Sequence, residues 1–155
     1  MNATGLVVNK KVFEDAGITE FPKTTEDFIA ALKKIKENDS SIVPLYTNYA
    51  AGWTLSNWDF TRPGVSGDPD FTNEMTSDTS PFDEGDTMYT IYNTLYTVAK
   101  EGLIESDPTT SDWEQSKVDL ANGKVAVMVL GSWAVPQIQK SMKIMRTTLC
   151  LKHSQ

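Results

Sequence analysis

At 155 residues the chain is one domain's worth, long enough to bury about 70% of the surface its unfolded form would expose. A formal net charge of −7 provides no basic face for nucleic acid or an anionic membrane, and no apolar run reaches the roughly 18 residues of a membrane helix. The single cysteine, Cys150, excludes an internal disulfide framework and any Cys-based zinc site. Met1-Asn2-Ala3-Thr4 has neither the basic start nor the apolar stretch of a signal peptide, so nothing is expected to export the chain as written.

Taken in order, Gly5–Asn9 is a short β-rich run without alternation and reads as a buried strand. Lys11–Ala16 can make one or two helical turns, ended by Gly17, whose backbone is free to turn left-handed; Pro22 stops any continuation. Thr24 with Asp27 three residues on is a variant capping box. Behind it Phe28, Leu32 and Ile35 recur at helical spacing opposite Lys33, Lys34 and Lys36, which predicts an amphipathic helix to about Asn38. Ile42–Tyr46 reads as another strand, with Pro44 favouring a strand end or an edge. Thr47–Trp53 leaves that strand and is expected to run into a helix reaching Trp58 or Asp59.

Residues 61–85 are polar and rich in Pro, Gly, Asp, Ser and Thr, a length at which a loop is usually functional or hides short elements. Its carboxylates lack the spacing of a calcium loop, so it reads as a solvated acidic segment. Asp86–Lys100 is helical, with Met88, Ile91, Tyr92, Leu95 and Ala99 on one face, and Gly102-Leu103 is placed for a Schellman-type cap. Ser111-Asp112-Trp113-Glu114 reads as a capping box opening a helix through Ala121 that Gly123 closes. Val125–Leu130, six consecutive apolar residues, reads as a strand buried on both faces. Gly131-Ser132-Trp133 then breaks it, and Ser132 is placed to cap a helix from Ala134. Strands interleaved with helices, and no hairpin signal, predict an α/β domain with more helix than strand.

The inventory speaks against catalysis. The only histidine, His153, stands near the C-terminus, and no Gly-rich phosphate loop occurs. No catalytic residue, metal ligand or cofactor site is assigned, and paired-carboxylate chemistry is the one enzymatic form left open. Aromatics are the better clue. Tyr46, Tyr49, Trp53, Trp58 and Trp133 gather at two strand exits, although each taken singly could serve the core. Trp133 can present a flat apolar face beside polar groups, the surface a sugar ring needs. Burying about 150 Å² there is worth at most about 4 kcal/mol before ordering costs. Asn48, Tyr49 or Ser132 could add hydrogen bonds.

The residues, taken as an ordered set, resemble a family. Gly5-Leu6-Val7-Val8-Asn9-Lys10 with Phe13, Ala16-Gly17, Pro22-Lys23-Thr24 and the Phe28/Leu32 helix match its middle. Ile42-Val43-Pro44-Leu45 follow, then Gly123-Lys124-Val125-Ala126, Met128 and Gly131-Ser132-Trp133. The set resembles the family 1 extracellular solute-binding proteins, the carbohydrate-binding components of ABC importers, to which maltose-binding protein is related. The likeness runs from about Gly5 to Ile138, with Thr25 standing where the family often has Trp. It implies a type II periplasmic-binding-protein-like lobe, helix-rich α/β with a small, mostly parallel sheet. It also implies a sugar or oligosaccharide ligand, an ABC permease as partner and an extracellular or cell-surface location. On the same resemblance Trp133 stacks on the sugar, and Tyr49, Trp53 and Asn48 face the ligand cleft.

After Lys140 the pattern is lost. Residues 1–139 read as a partial second lobe, and residues 140–155, with four of the 14 basic residues and no acid, as a divergent basic tail. A truncated reading frame is expected, its tail kept helical by Ile138, Met142, Met145 and Leu149. With part of the cleft only, such a chain should bind sugar weakly on its own. The alternative is an interaction module, or a homodimer, formed through the lobe face left uncovered.

Overall fold

The computed structural model describes residues 3–141 and the backbone of residues 149–152. Among them β1 (Thr4–Asn9), β2 (Val43–Leu45), β3 (Val125–Gly131) and β4 (Leu149–Lys152) form one sheet in the order β2-β3-β1-β4. β3 is buried along its whole length, as an uninterrupted apolar run requires. β2 lies parallel to β3, with Val43 opposite Val125 and Leu45 opposite Val127. β1 runs antiparallel to both β3 and β4. The sheet is therefore mixed, not mostly parallel as the family resemblance implied. Two helical segments, α1 (Lys10–Asp15) and α2 (Thr25–Asn38), separate β1 from β2, and the chain sets out along β2 from the end where β1 finished. Alternation along a sequence does not show how many times the intervening chain crosses the sheet.

The helix boundaries follow local chemistry. Thr24 accepts a 3.1 Å hydrogen bond from the Asp27 N–H and caps α2. At the end of α1, Gly17 (φ 69°) closes a Schellman motif: its own N–H bonds the Glu14 carbonyl at 2.9 Å and the Ile18 N–H bonds that of Phe13 at 2.9 Å. The helix α6 (Thr87–Lys100) ends in the same way at Gly102 (φ 66°), with the Leu103 N–H on the Val98 carbonyl at 2.9 Å. Two lysines from the polar face of α2 complete these ends. Lys34 donates to the Gly17 carbonyl at 3.0 Å and Lys36 to the Gly102 carbonyl. Cations there complement the negative ends of the helix dipoles.

Residues 61–85 do hide short elements: α4 (Arg62–Ser66), α5 (Phe71–Glu74) and a 3-10 turn at Met75–Ser77. Val65 and Met75 anchor the segment to the core. The buried residues form two clusters. Val8, Phe13, Leu32, Ile35 and Ile91 belong to one, under α1, α2 and α6. Val7, Met128, Leu130, Leu120 and Ile138 belong to the other, under α7 (Trp113–Ala121) and α8 (Ala134–Ser141). Leu6, Val7 and Val8 alternate between the two clusters, as do Met128, Val129 and Leu130, as strand pleating demands. Helices therefore cover both faces, the arrangement of an α/β lobe.

Of the tail, Lys140 and Ser141 belong to α8. Met142 and Met145 lie outside the described residues. Leu149 is not helical: residues 149–152 run as a strand along β1.

Candidate functional site

Because β2 and β3 are parallel, both leave the sheet at the same edge, and the two turns that follow them meet there. The turn after β3 carries Trp133 and the turn after β2 carries Trp53. Their ring centroids lie 5.6 Å apart. A third indole joins them. Trp113, the first residue of α7, lies edge-on to Trp53 at 5.0 Å and tilted against Trp133 at 5.9 Å. All three separations fall in the range in which aromatic pairs attract beyond their area burial. Trp53 stays 45% exposed and Tyr49 52% exposed, so this edge offers aromatic surface to solvent.

Trp113 escaped the sequence reading because it looks like an ordinary residue of a helix start. The signal was present in the order of elements. α7 leads directly into β3, so it runs back across the sheet and its first turn lies at the edge where β3 exits. Its cap stands one residue later than the sequence suggested. Asp112 accepts from the Gln115 N–H at 2.8 Å, while Ser111 accepts from the Ala50 N–H at 3.0 Å and donates to the Pro108 carbonyl at 3.1 Å. Lys117, almost wholly buried, sets its ammonium over the Trp113 ring, 5.0 Å from the centroid. It pairs with Glu114 at 2.8 Å and reaches Gln137 of α8 at 3.4 Å.

Trp133 depends on the glycine before it. A Cβ on Gly131 would lie 2.5 Å from Cδ1 of the indole and closer still to its Nε1. The ring therefore lies over the bare backbone where β3 ends. Ser132 does not cap the following helix as expected. Its hydroxyl accepts from the Ala3 N–H at 3.1 Å, and its own N–H donates to the Ala3 carbonyl at 2.7 Å. The corner is thus fastened to the start of β1.

The segment after β2 is not one helix. Asn48 at φ 54° and Gly52 at φ 73° break it into two 3-10 turns, Tyr49–Ala51 and Trp53–Leu55, before the short α3 (Ser56–Asp59). Tyr49 and Trp53 face outward, whereas Asn48 is 1% exposed and lies beneath them. Its Nδ2 donates to the Ser116 hydroxyl at 3.1 Å, and its carbonyl accepts from the Thr54 hydroxyl at 2.8 Å. The Asn48 side chain holds the turn together from below. Tyr46, half-buried at the same edge, has its phenol pushed up from the ordinary value by burial, against a backbone hydrogen bond with Asp112 that lowers it. Among the described residues no three His, Cys, Asp or Glu side chains converge as a metal site.

The lobe thus gathers indoles from three chain segments at the end of its parallel strands, the place where open α/β sheets put ligands. The chain belongs to the bacterial extracellular solute-binding protein family, whose model matches residues 1–144. It is similar to BlMnBP1, a binding protein of an ABC transporter from Bifidobacterium animalis subsp. lactis solved with mannobiose. That likeness has 44% identity and a TM-score of 0.85, over 90% of this chain and 34% of that one. It is also similar to BlMnBP2, a manno-oligosaccharide specific solute-binding protein of the same organism solved with mannotriose. Here the identity is 46% and the TM-score 0.85, over 90% and 34% of the two chains. RafE, solved with raffinose, shares the fold at 22% identity and a TM-score of 0.72, over 96% of this chain and 39% of its own; it comes from Streptococcus pneumoniae. No curated protein matches the chain. The chain spans about a third of the length of the manno-oligosaccharide-binding proteins it matches. Among the described residues no helix is long and apolar enough to cross a membrane.

Proposed function

We propose that this chain forms one wall of the carbohydrate cleft in the solute-binding component of a bacterial ABC sugar importer, as part of one of its two lobes. The observation that carries this reading is the meeting of Trp53, Trp113 and Trp133 at one sheet edge, with Trp53 and the neighbouring Tyr49 exposed. Manno-oligosaccharides are the ligand class, a choice supported by the two relatives at 44% and 46% identity. Binding needs no catalytic group or cofactor: the indole faces supply apolar contact to the C–H face of a pyranose, and the rim supplies hydrogen bonds. The permease partner and an extracellular or cell-surface location follow from the same family membership.

The affinity expected of this chain alone is low. A complete site that binds near micromolar is worth about −8 kcal/mol, and half of that is about −4 kcal/mol, in the millimolar range. Titration with mannotriose, read by indole emission, should give a saturable change at millimolar sugar. Trp133→Ala should weaken it by about 2 kcal/mol, the scale of a hot-spot residue. Emission indifferent to sugar well above millimolar, or a Trp133→Ala titration equal to wild type, overturns the proposal.

A second reading, self-association, is favoured by a separate aromatic surface. Phe60, Phe82, Tyr89, Tyr92 and Tyr96 are all exposed, and Phe82 lies 6.1 Å from Tyr92. Light scattering decides it: a dimer dispersed by Phe82→Ser with Tyr96→Ser supports a homodimer on this face, and a monomeric wild type rejects it.

A further inference from the structure

Beneath the turn that carries Trp53 lies a carboxylate that ligand contact does not explain. Glu105, 6% exposed, follows α6 and reaches under the turn after β2. Its Oε1 accepts from the Thr47 hydroxyl at 2.6 Å and from the Asn48 N–H at 3.0 Å, and its Oε2 accepts from the Thr47 N–H at 2.8 Å. Three donors on one buried carboxylate form a strong, directional clamp, because bonds to an ionised acceptor are worth more than neutral ones and more still away from water. The clamp holds two residues in the conformation that Asn48 at φ 54° requires.

From Asn48 the connection divides. Its carbonyl takes the Thr54 hydroxyl at 2.8 Å, beside Trp53. Its Nδ2 reaches the Ser116 hydroxyl at 3.1 Å, which in turn donates to the Trp113 carbonyl at 2.8 Å. One polar chain thus starts at Glu105 and ends at the backbone carrying two of the three indoles.

We infer that Glu105 is a positioning residue, a buried latch that acts through Thr47 and Asn48 to set the edge-to-face arrangement of Trp53 and Trp113. Its role at the sugar site rests on the carbohydrate reading above; its role in placing the indoles does not. Placing a planar indole against the C–H face of a sugar ring requires fixing the backbone beneath it, since a small rotation of the turn tilts the indole off that face.

The test reads the indoles directly. Near-ultraviolet circular dichroism of this chain should show coupled tryptophan bands, and Trp53→Phe should remove the share due to the Trp53–Trp113 pair. Glu105→Gln keeps the shape of the side chain but sets an amide N–H₂ against donors. It should lose most of that same band while far-ultraviolet dichroism stays at the wild-type value. Thr47→Val, which removes one hydroxyl donor, should lose part of the band, and Thr47→Ser should restore it. Mannotriose affinity should fall about tenfold in Glu105→Gln, equal to about 1.4 kcal/mol. Wild-type tryptophan bands in both Glu105→Gln and Thr47→Val overturn the latch. If wild type gives no sugar response while the bands change as described, the latch stands and the carbohydrate reading falls.

Discussion

Gly131 and Trp133 form a unit at the scale of single residues. The indole occupies the space a β-carbon would need, so the glycine is there for close approach rather than for turning. Gly131→Ala should push the ring away and cost about 1–3 kcal/mol by overpacking. Urea unfolding would register the loss, and a shifted tryptophan emission would place it at the ring. Both changes together are expected, and stability equal to wild type would contradict the geometry. Two aspartates make a different claim. Hydrogen bonds from the side chain and backbone of Ser41 hold the Asp39 carboxyl below its ordinary value of 3.8. Those of Thr109 do the same for Asp107. A depressed folded-state pKa means that the unfolded chain takes up protons first. Their contribution is therefore full above the ordinary carboxylate value and fades as pH falls through the lowered ones. Unfolding midpoints followed from about pH 5 to pH 2 should decline more gently in Asp107→Asn than in wild type.

The element scale turns on Asn9, which the sequence suggested only as the end of a strand. Its side chain, 1% exposed, serves two helices at once. Nδ2 donates to the Leu120 carbonyl at 2.8 Å and to that of Ala121 at 3.4 Å, at the end of α7, while Oδ1 accepts from the Val12 N–H in the first turn of α1. These are the groups that a helix leaves without internal partners. Asn9→Ala removes both services inside the protein and should cost about 2–3 kcal/mol. By contrast, Thr24→Ala at the exposed cap of α2 should cost about 1 kcal/mol. Chemical denaturation of the two variants would compare the caps, and equal losses would show that burial of Asn9 adds nothing. The cap at Thr24 and the glycines after α1 and α6 were legible in the sequence because each involves neighbours three to five residues apart. Asn9 was not, because its acceptors stand 111 and 112 residues away.

The whole molecule is organised by strand direction. β2 and β3 run the same way, so the turns that follow them meet; had β2 been reversed, Trp53 would lie at the opposite edge from Trp133. The same geometry carries α7 back across the sheet and delivers Trp113 to the cluster. At this scale the Trp133→Ala and mannotriose titrations test whether three segments act as one surface. The aromatic face on α6 tests the other whole-molecule property, association, since its residues lie in neither buried cluster.

Most of the longer elements, and the class, are written in local patterns of the sequence. Apolar runs specify buried strands, helical spacing specifies α2 and α6, and glycines and hydroxyl or carboxylate caps specify where helices stop and start. All of these are local, so a linear reading captures them, and together with the Gly131-Ser132-Trp133 corner they were enough to point to the solute-binding family. The tertiary structure decided the rest. It set the antiparallel placement of β1 and brought Trp113 against Trp53 and Trp133. It also withdrew Asn48 from the surface and placed Glu105 beneath the turn. Each of these depends on contacts between residues far apart in the chain, where direction and burial are settled by how the sheet closes and not by the identity of neighbouring residues.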